Sequence, residues 1–183
     1  HCPQHQVHYV YQTSDTVVAR NDTFCCGLLQ ALERIEQAFT GPANPEQELS
    51  VGLFKKRIPA FPMDVIREAT LNAITHRDYT NPNDVLIRHT KHELIITSPG
   101  GFIAGITPAN ILRHEPASRN RLLAELFQKL QLVERAGIGR KRIFVSTLAY
   151  GKRAPHYESS PEQVTLSVFK GSFDEGMARL VAA

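Results

Sequence analysis

The chain has 183 residues, 42% hydrophobic and 21% charged, a globular composition with room for one sizeable core. A net charge of +3 is too mild to imply a nucleic-acid partner by itself. Three cysteines, two of them adjacent, exclude a disulfide framework, and no apolar run forms a membrane span or a signal peptide, so the expected compartment is the cytoplasm.

The first residue is His1 rather than Met, and the sequence reads as an excerpt of a longer protein. Residues 1–26 alternate weakly, with Val7, Tyr9 and Tyr11 facing one way and Thr16 to Ala19 suggesting a second short strand. His1, Cys2, His5 and His8 lie close together, but their spacing matches no closed zinc pattern and a downstream ligand pair is missing. Leu28, Leu29, Leu32, Ile35 and Phe39 recur at helical spacing, so a helix is expected over Thr23 to Phe39, ended by Gly41-Pro42. Asn44 to Ser50 reads as polar connection, and Val51 to Ile58 as extended up to Pro59.

The most informative stretch is FPMDVIREATLNAITHRDY, Phe61 to Tyr79. Pro62 gives a stiff entry and Asp64 is the expected N-cap of a helix running to about Arg77. Ile66, Ala69 and Ala73 fall on one flank, and Leu71 and Ile74 on another. Between them runs a polar stripe of Glu68, Asn72 and Thr75. Glu68 and Asn72 are four residues apart and stand one above the other. Such a pair offers a proton acceptor and a hard oxygen ligand, as a water-activating, magnesium-holding site requires. An exposed polar stripe on an ordinary amphipathic helix fits the same pattern.

Residues 79–84, YTNPND, are dense in turn formers, and Val85 to His89 with Glu93 to Thr97 form an expected antiparallel strand pair. Ser98-Pro-Gly-Gly101 breaks the second strand. Thr107 to Leu112 is expected as a short helix with Pro108 at its first position. Ser118 is expected to cap a longer helix, 118–133, buried through Leu122, Leu123, Leu126, Leu130 and Val133. Gly137 and Gly139 open a helix running over Arg140 to Tyr150 and closed by Gly151, and Val164 to Phe169 alternates as a last strand. A helix N-terminus is a ready anion site, and Arg140, Lys141 and Arg142 oppose the dipole there unless an anion offsets them. Eight Lys or Arg against three Glu lie between Arg113 and Arg142. No GK[ST] follows the glycines, so there is no P-loop. His76-Arg77-Asp78 with Asn83 reproduces the kinase HRDxxxxN spacing, but the glycine-rich loop, strand lysine and DFG are missing, and the chain is too short for both lobes.

Taken together, REATLNAITHRDY, ELIITSPGG and SRNRLLAELFQKLQLVERAGIGR, in this order, resemble the C-terminal module named after the RecG helicase, carried by transcriptional regulators behind an Alba-type (Schlafen-like) domain. The resemblance covers about residues 28 to 170 and makes residues 1–27 the tail of that preceding domain, with residues 28–183 as the module. The module is in turn similar to the GHKL ATPases. It implies an α+β fold, a mostly antiparallel sheet covered on one face by helices at 28–39, 64–77, 118–133 and 140–150. By the same resemblance Glu68 stands at the water-activating base and Asn72 at the Mg ligand. Gly100 and Gly101 fall at the first glycine box and Gly137 and Gly139 at the second, whose amides hold phosphate under a lid; that box is abbreviated, with Arg140 where a longer glycine run would continue. The implied cofactors are ATP and Mg. The expected partners are nucleotide, DNA through the full-length protein, and a second copy of the chain, with no membrane. The family's first box begins with an aspartate that reads the adenine amino group; here Ser98 and Pro99 stand at the comparable positions. Two functions therefore stay open: an ATP-binding module with at most slow hydrolysis, and a non-catalytic scaffold for dimerisation or for DNA or partner binding.

Overall fold

The computed structural model describes residues 6–51, 54–133 and 138–171. Its elements are β1 (Val7–Ser14), β2 (Val17–Phe24), α1 (Leu28–Ala38), β3 (Glu46–Val51), β4 (Phe54–Pro59), α2 (Met63–His76), β5 (Val85–His89), β6 (Glu93–Pro99), α3 (Arg121–Lys129), α4 (Ile138–Ala149), β7 (His156–Ser159) and β8 (Gln163–Phe169). The fold is α+β. Six strands form one sheet in the order β2-β1-β5-β6-β8-β7, and β3 and β4 form a separate two-stranded sheet. Every neighbouring pair is antiparallel except β1 and β5, which run parallel. Residues 7–24 are thus hydrogen-bonded into the same sheet as the strands that follow α2.

Alternation along the central strands decides which face is covered. Val85, Ile87 and His89 on β5, Leu94, Ile96 and Ser98 on β6, and Leu166 and Val168 on β8 are buried. The residues between them are half-buried or exposed. Helix α2 lies on the buried face between the sheet, α1 and α4, and so buries residues around most of its circumference: Val65, Ile66, Ala69, Leu71 and Ile74 among them. One aromatic nest fixes β1 and β5 under α1. The Tyr9 hydroxyl and His89 Nδ1 lie 3.0 Å apart, Phe39 stacks on the His89 ring at 4.8 Å, and Phe61 meets it edge-on at 5.1 Å. Buried Lys152 donates from Nζ to the carbonyl of Lys170 at 2.8 Å.

The end of α2 is satisfied almost wholly by side chains, which is how a helix stops inside a protein without orphaned carbonyls. Ser98 Oγ donates to the carbonyl of Ala73 (2.7 Å) and the Tyr79 hydroxyl to that of Ile74 (3.2 Å). Asn120 Nδ2 donates to those of Thr75 and Arg77, and Arg119 Nε to that of His76 (3.1 Å).

Several local expectations are corrected. Helix α1 begins at Leu28 rather than Thr23, because Phe24 pairs with Val7 and is buried as the last residue of β2. Residues 46–51 are a strand rather than a polar connection; three of their six partners on β4 are basic (Lys55, Lys56 and Arg57), and Glu48 pairs with Lys55 at 2.8 Å. Helix α2 begins one residue before Asp64, with Pro62 at the N-cap and no side-chain cap. Asp64 instead sits in the first turn, where its charge suits the dipole and its Oδ2 accepts from Ser146 of α4. Residues 107–112 form turns rather than a helix, because Thr107 and Asn110 spend their side chains on each other's backbone N–H groups. Helix α3 covers 121–129 only, and its expected buried face splits: Leu122 (83% exposed), Leu126 and Leu130 face out, Leu123 and Val133 pack partly against the core, and Phe127 enters it. No helix among the described residues is long and apolar enough to cross a membrane.

Candidate functional site

A cavity of about 310 Å³ lies between α2 and the segment that follows β6. Glu68, Asn72, Thr75 and His76 contribute from α2, and Ser98 with Ile96 from β6. Gly100, Gly101 and Arg119 come from the segment joining β6 to α3, and Gly139 and Arg140 from α4. The rest of the lining is largely apolar, including Phe102, Ile103, Val164 and Leu166, with the ring of Tyr157 beside it. Every site residue expected from sequence except Gly137 therefore lines one hollow; Gly137 lies outside the described residues, as do His1, Cys2 and His5. His8, in β1, is bonded to Asn21 on the neighbouring strand.

Glu68 is buried, at 6% exposure, and accepts a hydrogen bond on Oε1 from Asn72 Nδ2 (3.2 Å), which leaves the Asn72 carboxamide oxygen as a hard acceptor beside it. Arg140 donates from one guanidinium nitrogen to the carbonyl of His114, across the segment that covers the cavity. Its Nε–H is buried and, among the described residues, has no hydrogen-bond partner. Such a donor costs free energy until something accepts from it, and a phosphate or carboxylate oxygen is the natural acceptor.

The first glycine pair serves close packing of the backbone against neighbouring segments. Gly100 takes a φ of +89°, and a β-carbon there would stand 2.6 Å from Cβ of Asp78. One on Gly101 would stand 2.4 Å from the carbonyl oxygen of Ser160. Both backbone N–H groups are already spent, donating to the carbonyls of Glu162 and Pro161 in the β7–β8 turn. Arg119 completes this corner, with Nη2 2.7 Å from the carbonyl of Gly101 and Nη1 3.7 Å from the Asp78 carboxylate.

The field in the cavity is mixed. Burial, with Arg119 and Arg140 adding to it, pushes His76 below the usual imidazole range, so it is neutral at pH 7. Burial raises the Tyr157 hydroxyl and the nearby Glu68 raises it further, so it stays a donor. Hydrogen bonds from Thr80 hold the Asp78 carboxyl below the usual carboxylate range. Tyr157, Arg119 and His76 were not identified as site residues in the sequence. His76 carries a local signal as the last residue of the helix that holds Glu68 and Asn72, and Arg119 one as part of the cationic segment 113–142; Tyr157 carries none.

Residues 83–168 match the family model described as "Putative ATP-dependent DNA helicase recG C-terminal". The match takes in Gly100, Gly101, Gly139 and Arg140 but begins after α2, so it does not extend to Glu68 or Asn72. A crystal structure of the DIP2311 protein from Corynebacterium diphtheriae is similar, with a TM-score of 0.84 and 28% sequence identity. The similarity covers 98% of this chain and 38% of that one, so the chain spans well under half of that protein's length. No curated protein matches the chain. Over residues 83–168 the chain is thus similar to a RecG-related, ATPase-like module.

Proposed function

We propose that the chain is a GHKL-like nucleotide-binding module that holds ATP with Mg between α2 and the glycine turns. The observation that carries this is the placement of Glu68 and Asn72, one helical turn apart, in the wall of the same cavity as Gly139 and Arg140. The residues suit the ligand. A single carboxamide oxygen from Asn72, completed by phosphate oxygens and water, is a normal protein contribution to magnesium. The unspent Nε–H of Arg140 suits a phosphate oxygen, and the apolar wall of Ile96, Val164 and Leu166 suits the face of a heterocycle. Magnesium, when bound, neutralises charge on the phosphates. Glu68 orients the attacking water and accepts its proton, Asn72 fixes Glu68 through the 3.2 Å bond, and Arg119 and Arg140 add positive field where negative charge accumulates. Turnover is slow at best on this reading, because phosphoryl transfer depends on tight positioning and both amides of the first glycine pair are engaged elsewhere. Isothermal titration of the chain with Mg·ATP tests it: binding by wild type that Asn72→Ala loses supports it, and no binding, or equal binding by the variant, refutes it.

A second reading is favoured by those same spent amides and by Ser98, whose hydroxyl is tied to the carbonyl of Ala73 and offers the ligand no carboxylate. Here the fold is a scaffold in a DNA-binding transcriptional regulator, and the cationic segment Arg113–Arg142 meets DNA or a partner chain. Nucleotide-independent DNA binding that falls steeply with salt distinguishes it.

A further inference from the structure

A β-carbon built on Gly139 would stand 1.6 Å from Oε1 of Glu68, 2.4 Å from its Cδ and 3.1 Å from Oε2. No side chain fits at position 139 while the Glu68 carboxylate keeps its place. The backbone does not demand glycine there: Gly139 lies in the first turn of α4 and is not among the residues of positive φ. In a helix, alanine is ordinarily the more stabilising choice. The glycine therefore answers to its neighbour on α2.

Electrostatics point the same way. The first turn of α4 carries no acidic residue and holds Arg140 and Lys141, with Arg142 next, an arrangement that works against the helix dipole. Glu68, reaching across from α2 and buried at 6% exposure, brings negative charge to that end of the helix.

We infer that Gly139 is a positioning residue for Glu68: its absent side chain is the seat of the carboxylate. The two features read in the sequence as separate, a base on one helix and a phosphate glycine on another, form one packed unit. The activity arm of the test rests on the reading of Glu68 as the water-orienting group; the stability arm rests on geometry alone.

The experiment is a thermal-unfolding cycle on wild type, Gly139→Ala, Glu68→Ala and the double variant, with Mg·ATP titration and phosphate release on the first two. Gly139→Ala lowers Tm in the presence of Glu68 and raises it in the Glu68→Ala background, the two shifts differing by about 3 °C or more. Turnover by Gly139→Ala falls on the order of 100-fold while its Kd for Mg·ATP moves by less than about threefold, since the water-orienting group is displaced and the binding groups are not. Equal Tm shifts in the two backgrounds overturn the inference. So does a Kd weakened by about tenfold or more with turnover of the bound nucleotide intact, which would make Gly139 a phosphate glycine. If Gly139→Ala fails to fold, folding of the double variant supports the seat and its failure refutes it. If wild type binds no Mg·ATP, the proposed function falls, and the Tm cycle still decides whether Glu68 needs the gap.

Discussion

Asn72 Nδ2 donates to Glu68 Oε1 across 3.2 Å, one turn apart on α2 and inside one cavity. The bond assigns the two side chains unequal tasks. Asn72→Ala is expected to weaken Mg·ATP binding by about tenfold or more, roughly 1.4 kcal/mol, because it removes a ligand. Glu68→Gln keeps the shape and loses the proton acceptor, so binding survives while phosphate release drops on the order of 100-fold. Titration calorimetry and a phosphate-release assay separate the two, and equal losses in both assays would contradict the division of labour.

Arg119 ties three separate parts of the chain: the carbonyl of His76 at the end of α2, the carbonyl of Gly101 after β6, and Asp78. Its removal leaves two carbonyls short of a charged donor. Arg119→Ala is expected to lower unfolding stability by about 2–3 kcal/mol, measured by urea denaturation. Arg119→Lys restores little, since a single ammonium cannot span sites that the guanidinium fork reaches together.

Burial, helped by the charge of Lys170, lowers the pKa of His89 from 6.5 to about 4. The folded value lies below the unfolded one, so the unfolded chain takes up the proton first as pH falls. The contribution is complete above about pH 6.5 and is lost progressively down to about pH 4, amounting to roughly 3 kcal/mol at the acid end. His89→Phe, in a site already walled by Phe39 and Phe61, should flatten the stability profile between those limits relative to wild type. Parallel profiles for the two proteins would show that His89 does not govern the acid loss.

Lys152 is buried with its ammonium on one carbonyl, and burial followed by Lys170 lowers its pKa from 10.5 to about 8. Here too the folded value is depressed. Stability is therefore reduced at neutral pH and rises as the pH increases from about 8 to 10.5. Lys152→Met is expected to stabilise the protein at pH 7 by about 1–2 kcal/mol and to abolish that rise. A variant less stable than wild type at pH 7 would mean that the bond to Lys170 outweighs the burial of charge.

Elements whose pattern is set locally were legible. β5 and β6 alternate cleanly because only one face of the sheet is covered, and α4 stops where Gly151, at φ +64°, donates to the carbonyl of Leu148. The Glu68/Asn72 stripe was legible because spacing on one helix suffices to align two side chains. Features decided by distant partners were not. The polar strand β3 exists because the basic β4 lies opposite it, and the leucines of α3 gave a helical period without saying that Phe127 would be the residue to enter the core. Gly100 and Gly101 marked the break after β6, but the neighbours their backbone approaches, Asp78 and Ser160, are named by no local pattern. Tyr157 reaches the cavity from β7, a four-residue strand with no alternation to announce it.

The parallel pairing of β1 with β5 joins residues such as Val7 and Val85, while the neighbouring contact of Gln6 with Asp84 spans 78 positions. During synthesis the β1–β2 hairpin must wait, unsupported, until β5 emerges, and an isolated two-stranded hairpin is marginal in water. A fragment trimmed to begin after Phe24 would meet the converse difficulty. It would expose the edge of β5 along Val85–His89, strip Tyr9 away from His89, and present a bare apolar strand to the next molecule. Truncation at that point should therefore yield aggregates rather than a smaller soluble module.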